Sequence, residues 1–299
     1  MNLITLTLTA LCLSTCNLFI NKVSGEVVSD KVVVLPEGQL KFYYDDSITS
    51  DPCDTVVMIN VGAAMSATEY NDLGHSIASS SNKELSIIAI IMDDNPGDIR
   101  KQDQNKYANL ANAIVKNLKQ IVPICANRKQ AKINYIIGGH SAGGEAAIRA
   151  LTNDPPLISF DVAGIVGLAP YQIDPKSTAK INVPSLMWGF AHKTCLVVSN
   201  KSDLAAYNIS NSDRRVLYQV QNKFNVNPIS GPHCSFADKS CKGICGGGDE
   251  YAWIRKSGVG DSVYSFILAI RSSSFTKTIF KDQNGTRVFL NKELAFARS

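Results

Sequence analysis

The sequence predicts an α/β fold with a mostly parallel central sheet and helices on both of its faces. Short runs of β-branched and apolar residues, which are typical of buried strands, recur along the chain. Segments with apolar residues at helical spacing separate several of these runs. A pair of strands joined by a turn at Pro36-Glu37-Gly38 precedes this alternation. Repeated β-α units need crossover connections, so they favour a parallel sheet that is covered on both sides.

The predicted elements follow one another along most of the 299 residues. Strands are expected at residues 32–35, 41–46, 55–61, 86–92, 133–137, 162–168, 185–190 and 215–220. Helices are expected at residues 66–79, 102–122, 142–151 and 260–270. Neither an internal repeat nor an interdomain linker interrupts them. Residues 26–299 are therefore predicted to form a single domain.

The first 25 residues differ in character from the rest of the chain. Residues 3–20 are apolar and hydroxyl-rich without a charged side chain, and the small residues Val23-Ser24-Gly25 precede Glu26. This pattern predicts a secretory signal peptide at residues 1–25, with a single N-terminal membrane anchor as the alternative. No later stretch is long and apolar enough to span a bilayer. We therefore expect no stable membrane insertion once the signal is removed.

Cysteine use agrees with export from the cytosol. Two of the eight cysteines, Cys12 and Cys16, lie in the predicted signal, which leaves an even number for disulfide bonds. Asn200, Asn208 and Asn284 are each followed two residues later by Ser or Thr, as N-glycosylation requires. The sequence thus favours a secreted protein, or one in the lumen of the secretory pathway.

Charge and motif content exclude several classes of function. The formal net charge is only +4 at pH 7, and the basic residues are scattered, so nucleic acid is not an expected partner. No glycine-rich phosphate loop occurs, and no organic cofactor is predicted. Asp249 and Glu250, which follow three glycines, are interpreted as a solvated turn rather than a calcium site.

The most informative motif is Gly139-His140-Ser141-Ala142-Gly143, which fits the G-x-S-x-G nucleophile elbow of serine hydrolases. A strand is predicted just before it and a helix just after it, which is the context that the elbow requires. Glycines on both sides of the serine let neighbouring backbone approach a sharp turn. Ser141 is therefore the candidate nucleophile. The alternative is a glycine-rich turn with an incidental serine.

Four phrases of the sequence resemble the α/β-hydrolase superfamily. They are VVMINVGAAMSATEY at residues 56–70, GGHSAGG at 138–144, VPSLMWG at 183–189 and GPHCSF at 231–236. The resemblance extends over nearly all of residues 30–272. Within the superfamily, the chain looks like the small lidless branch that contains dienelactone hydrolases, chlorophyllases and cutinase-like polyester hydrolases. This resemblance implies the α/β-hydrolase fold.

The resemblance also implies the residues of the site. The triad order of the superfamily, serine then acid then histidine, makes His233 the expected general base. The oxyanion hole is expected at the backbone N–H groups of Ala63 and Ala142. By position rather than by the resemblance, Tyr171 and Trp188 are candidates for lining the substrate cleft, with a place in the core as the alternative.

The acid of the triad is where the sequence departs from the family pattern. No Asp or Glu occurs in residues 189–195, where related enzymes place it. Asp203 is the first candidate and Asp174 the second, and a triad without an acid is the third possibility. Losing the orienting acid from a serine triad costs on the order of 10⁴ in turnover but leaves residual catalysis.

The same resemblance also bears on how the cysteines pair in disulfide bonds. Related secreted enzymes often join the acid and histidine loops, which implies a disulfide between Cys195 and Cys234. Cys241 would then pair with Cys245, and Cys53 with Cys125 at the opposite end of the sheet. A zinc site of Cys234, Cys241, Cys245 and His233 is the alternative, although its spacing fits no common zinc module.

These observations predict a secreted serine hydrolase that cleaves carboxylic esters through an acyl-enzyme on Ser141, without a metal or organic cofactor. Residues 170–184 are too few for a large lid, which favours an open cleft for a small-molecule or polymeric ester. The alternative, which the irregular acid region supports, is a secreted protein of the same fold that has lost efficient catalysis and serves in binding or adhesion.

Overall fold

The computed structural model describes twelve stretches of the chain that together contain its sheet and helices. They are residues 27–29, 32–48, 53–81, 85–94, 103–126, 133–173, 180–190, 202–210, 215–220, 232–238, 252–272 and 295–298.

The described strands form one sheet whose centre is parallel. The strands are β1 Val27–Ser29, β2 Val33–Leu35, β3 Gly38–Asp45, β4 Thr55–Asn60, β5 Ile87–Asp93, β6 Asn134–His140, β7 Val162–Leu168, β8 Ser185–Phe190, β9 Arg215–Val220 and β10 Ala295–Arg298. Their order is β1-β3-β5-β4-β6-β7-β8-β9-β10, with β2 paired to β3. The six strands from β5 to β9 in this order are parallel. β1, β2, β3 and β10 pair antiparallel at the two edges.

Five α-helices accompany the sheet in the described part of the chain. They are α1 Asn71–Ala78, α2 Gln104–Ile121, α3 Ala142–Thr152, α4 Ser202–Ile209 and α5 Val259–Arg271. Short 3₁₀ segments occur at Ala67–Glu69, Pro123–Cys125 and Pro232–Phe236, and a π-helical turn at Ile254–Gly258 leads into α5.

Alternate side chains of the central strands enter two different cores. On β4, Val57 and Ile59 pack in a cluster that includes residues of α1 and α5. Val56 and Met58 of the same strand pack in a second cluster with residues of α2, α3 and α4. Because successive strand residues point to opposite faces, these clusters place helices on both sides of the sheet. The predicted α/β class with a mostly parallel, doubly covered sheet is confirmed.

A disulfide bond fixes the end of the sheet at which the parallel strands begin. Cys53 lies just before β4 and is bonded to Cys125, which follows α2. This predicted pair is confirmed. A bond that closes a sequence separation of 72 residues stabilises a fold by about 4 kcal/mol in the chain-entropy description.

Most of the features predicted for export lie outside the described residues. These are the signal peptide at residues 1–25 and the glycosylation candidates Asn200 and Asn284. Asn208 is described and is exposed on α4, where a glycan could be attached. Among the described residues, no helix combines the length and apolar character needed to cross a bilayer.

Candidate active site

The predicted elbow lies at the carboxyl edge of the sheet, between β6 and α3. Ser141 follows the last residue of β6 and precedes Ala142, the first residue of α3. Its backbone has φ 54° and ψ −122°, a conformation that costs a non-glycine residue on the order of 1–3 kcal/mol. The Ser141 N–H donates to the Leu168 carbonyl at 3.0 Å, and the Ser141 carbonyl accepts from the Tyr171 N–H at 2.9 Å. Neighbouring backbone therefore holds the strained turn on two sides.

Three glycines around Ser141 let backbone segments approach one another closely. A Cβ atom on Gly139 would lie 2.5 Å from the carbonyl carbon of Gly143, and one on Gly143 would lie 2.2 Å from the Val61 oxygen. A Cβ atom on Gly144 would lie 2.6 Å from the Gly139 oxygen. Any side chain at these positions would separate β6, α3 and the end of β4, so the tight turn depends on glycine.

His233 lies directly against Ser141. Its Nε2 is 2.9 Å from the Ser141 Oγ, although the two residues are far apart in sequence. His233 belongs to the 3₁₀ segment Pro232–Phe236 and is only 2% exposed. Burial, and secondarily the nearby His140, hold the pKa of the His233 imidazole well below its usual 6.5. The ring is therefore neutral at pH 7, as a group that accepts the serine proton must be.

The other ring nitrogen of His233, Nδ1, is buried and makes no hydrogen bond with the described residues. When Nε2 accepts from Ser141, Nδ1 carries the proton of the neutral ring and needs an acceptor. Asp203 lies in the first turn of α4 and is 4% exposed. Its carboxylate packs on Gly189 near the end of β8, so closely that a Cβ atom there would overlap it. No hydrogen bond joins Asp203 to His233 in this arrangement, and Asp174 lies outside the described residues.

The turn after β4 lies beside the elbow. A Cβ atom on Gly62 would be 3.4 Å from the Ser141 Cβ. The Gly62 N–H itself donates to the Tyr70 hydroxyl at 2.9 Å. This N–H is therefore not available to bind a substrate oxygen. Ala63 lies in this turn and Ala142 directly follows Ser141, and both alanines are half-buried. The backbone N–H groups of these two residues are the ones that the resemblance implies for an oxyanion hole.

His140, the variable residue of the elbow motif, has two polar partners that the sequence did not indicate. It is 1% exposed, and its Nδ1 is 2.8 Å from the Tyr70 hydroxyl. Its Nε2 is 2.9 Å from the main-chain oxygen of His233. Burial lowers the pKa of the His140 imidazole to about 4. A neutral imidazole therefore connects β6 to both the Tyr70 side chain and the segment that carries His233.

The His233 segment is also tied to the start of α1. The Asp238 carboxylate accepts from the N–H groups of Asn71 at 2.6 Å and Asp72 at 3.0 Å. Its own N–H donates to the Glu69 carbonyl at 2.7 Å. Arg255, which is almost fully buried, pairs with Asp72 at 3.0 Å and lies 3.9 Å from Asp238. Sequence reasoning missed Asp238 because its partners precede it by more than 160 residues.

The two aromatic candidates for the cleft have different environments. Trp188 is fully buried, its Nε1 donates to the Ser262 Oγ at 3.0 Å, and its ring stacks on Tyr218. It therefore belongs to the core, which corrects the expectation that it lines a cleft. The physical reason is that the side chain points toward α5, whose Ser262 accepts its indole N–H. Tyr171 is half-buried, and its N–H donates to the Ser141 carbonyl. It therefore lies beside the site.

Cys234, next to His233, is disulfide-bonded. The predicted partner, Cys195, lies outside the described residues, as do Cys241 and Cys245. A disulfide leaves Cys234 without the thiolate that zinc would require, so it does not fit the alternative zinc site. Within the described residues, no cluster of His, Cys, Asp and Glu has a geometry that could hold a metal ion.

Comparison with known proteins does not assign the chain to a family. No family model matches the chain, and no curated protein matches it.

Proposed function

We propose that this chain has the α/β-hydrolase fold and is a secreted serine hydrolase that cleaves carboxylic esters through an acyl-enzyme. The observation that carries the proposal is the 2.9 Å approach of the His233 Nε2 to the Ser141 Oγ. It occurs at a strained strand-to-helix turn, which is the structural context of a nucleophile elbow. The sheet order, with an antiparallel edge followed by parallel strands, agrees with this fold.

In the proposed reaction, His233 removes the Ser141 proton as the serine oxygen attacks the ester carbonyl. The negative charge that develops on the carbonyl oxygen is stabilised by the amides of Ala63 and Ala142. His233 then protonates the leaving alcohol, which leaves an acyl group on Ser141. Water, activated by the same histidine, releases the acid and restores the serine. Acylation and deacylation each begin with a neutral His233, and burial favours that form.

Asp203 is the proposed acid of the triad. Its buried carboxylate lies near the end of β8, the strand after which this fold places the acid. The Nδ1 of His233 is the buried group that such a carboxylate would bind. In that position it would fix the ring orientation and stabilise the imidazolium that forms during each proton transfer.

The test is hydrolysis of p-nitrophenyl acyl esters of increasing chain length by the wild-type protein and by Ser141→Ala. We expect turnover by the wild type and only background hydrolysis by the variant, with the chain-length optimum reporting the size of the cleft. A fluorophosphonate should modify the wild type at Ser141 and leave the variant unmodified, as seen by mass spectrometry of the peptides. Equal rates and no modification in both proteins would overturn the proposal.

The unpaired Nδ1 of His233 supports one alternative, a secreted protein of the same fold that serves in binding or adhesion. A histidine without an orienting acid would leave only slow residual catalysis. Fluorophosphonate modification of Ser141 without measurable turnover of any ester in the series would favour this alternative.

A further inference from the structure

We propose that His140 and Tyr70 act together as positioning residues, by fixing the backbone of His233 and the turn at Gly62 against the nucleophile elbow. This inference rests on the proposed hydrolase function, because it assigns a role to two residues that the proposed reaction does not itself use. The bridge consists of three hydrogen bonds, from Gly62 to Tyr70, between Tyr70 and His140, and between His140 and His233.

The chemistry of the four groups that these bonds join determines the direction of every bond in the bridge. The His233 main-chain oxygen can only accept, so the His140 Nε2 must carry a proton. In a neutral ring the Nδ1 is then an acceptor, and the Tyr70 hydroxyl must donate to it. The Tyr70 oxygen in turn accepts from the Gly62 N–H. Each donor thus has an acceptor, and no other neutral tautomer satisfies all of them.

Burial makes the bridge costly to break. Tyr70 is fully buried and His140 is 1% exposed, so water cannot replace a lost partner. A buried polar group that loses its hydrogen bond stays desolvated without compensation, which destabilises the folded state. Protonation of His140 would leave the Tyr70 O–H without its acceptor. Burial of the ring, which lowers its pKa to about 4, opposes that protonation at neutral pH.

The bridge acts on both halves of the proposed catalytic apparatus. The bond to His140 anchors the backbone of His233, whose Nδ1 makes no hydrogen bond with the described residues. The bond to Tyr70 occupies the Gly62 N–H and thereby orients the turn that carries Ala63. The rings of His140 and His233 are 4.8 Å apart, so a charge on His140 would also weaken His233 as a base. A neutral His140 avoids this repulsion.

The kinetic test compares Tyr70→Phe, His140→Leu and the double variant with the wild type. Tyr218→Phe is the matched control, because this tyrosine is fully buried and its hydroxyl has no hydrogen-bond partner among the described residues. For each single variant of the bridge we expect kcat to fall on the order of 10- to 100-fold while KM changes less than about two-fold. The double variant should be no slower than the slower single variant, since both break the same bridge. Tyr218→Phe should keep the wild-type kcat.

A conservative variant separates positioning from packing. His140→Gln retains an amide N–H that can donate to the His233 oxygen, so it should recover part of the kcat lost in His140→Leu. Equal kcat for His140→Gln and His140→Leu, or multiplicative losses in the double variant, would overturn the proposed joint role.

A second measurement tests the hydrogen-bonded bridge without an activity assay. In ¹H–¹⁵N spectra of protein labelled at its four histidines, His140, assigned through His140→Gln, should be neutral with the proton on Nε2 at neutral pH. Tyr70→Phe should shift its Nδ1 resonance, and Tyr218→Phe should not. A charged ring or a proton on Nδ1 would overturn the inference, even if the protein proves to be a hydrolase. The expected spectra without ester turnover would instead refute the proposed function and the kinetic role, and leave only the bridge.

Discussion

The Asp238 carboxylate caps helix α1 by accepting the backbone N–H of Asn71 at 2.6 Å. Asp238 lies five residues after His233 on the same short segment. The start of α1 follows the turn that carries Ala63, so this one carboxylate connects the proposed base to the proposed oxyanion turn. The contact explains how His233 can be held in place from its C-terminal side.

Replacing Asp238 by Ala should therefore affect both stability and turnover. Loss of a helix cap costs about 1–2 kcal/mol of unfolding free energy, and a looser His233 segment should lower kcat by about 10-fold. Asp103→Ala is the matched control, because Asp103 caps α2 through the Asn105 N–H and that helix carries none of the site residues. It should lose comparable stability and keep its kcat, as measured by urea unfolding and ester turnover. Equal kcat losses in the two variants would contradict this prediction.

The strained backbone of Ser141 predicts a difference in stability between two inactive variants. Ser141→Gly should be more stable than Ser141→Ala by about 1–3 kcal/mol, because glycine adopts a positive φ without the cost to a residue with a Cβ atom. Both variants should lack turnover, since both lack the hydroxyl. Thermal unfolding of the pair measures the difference, and the same melting temperature for both would argue against stored strain.

The low pKa of His233 predicts the acid limb of the pH profile. Turnover needs the neutral ring, so kcat/KM should fall as pH drops through the pKa of His233 in the free enzyme. Since burial and His140 lower that pKa, the midpoint should lie below 6.5. Initial rates on one ester across the acid range would measure it. A midpoint above 6.5 would mean that a carboxylate acts on His233 more strongly than burial does.

Asp203→Asn tests the proposed acid with almost no change of shape. If the carboxylate orients His233, its loss should lower kcat on the order of 10⁴-fold with the fold intact. Circular dichroism would verify the fold, and ester turnover gives kcat. An unchanged kcat would remove Asp203 from the triad, leaving Asp174 or a triad without an acid.

The buried carboxyl of Asp94 should make the stability of the fold depend on pH, independently of the candidate active site. Burial is the main cause that raises the pKa of its carboxyl from 3.8 to about 6, against a hydrogen bond from Asn60 that lowers it. The carboxyl thus binds its proton more tightly in the folded state than in the unfolded state, where the ordinary pKa of 3.8 applies. The stability that protonated Asp94 contributes in acid is therefore lost as pH rises through 6. Asp94→Asn should thus be more stable than wild type at pH 7 by about 1–3 kcal/mol. Urea unfolding should show this advantage vanish below about pH 4, and an Asn variant less stable at pH 7 would refute it.

The sheet was largely predictable because most of its strands leave a local signal in the sequence. β7, β8 and β9 have the predicted bounds, since each is a short apolar run with breakers or polar residues on both sides. Helix α4 was not predicted. Its consecutive residues Ala205, Ala206 and Tyr207 are all buried, so it has no polar stripe from which a helical period could be recognised.

The site was predictable only where its signal is local or follows from chain order. Ser141 was predicted from its pentapeptide and His233 from its place after the last parallel strand, and the structure brings the two side chains to within 2.9 Å. Tyr70, one of the two partners of His140, lies 70 residues away, and the helix that Asp238 caps begins more than 160 residues earlier. Such contacts depend on how the strands are ordered in the sheet, which local patterns do not determine.

The close backbone contacts of Gly139, Gly143 and Gly144 separate what folding requires from what chemistry requires. If selection for turnover were relaxed in a descendant of this chain, packing would still preserve these glycines. Ser141, by contrast, could drift to glycine, which its backbone torsion favours. A descendant that folds without catalysing should therefore retain the glycine-rich elbow and lose only its serine.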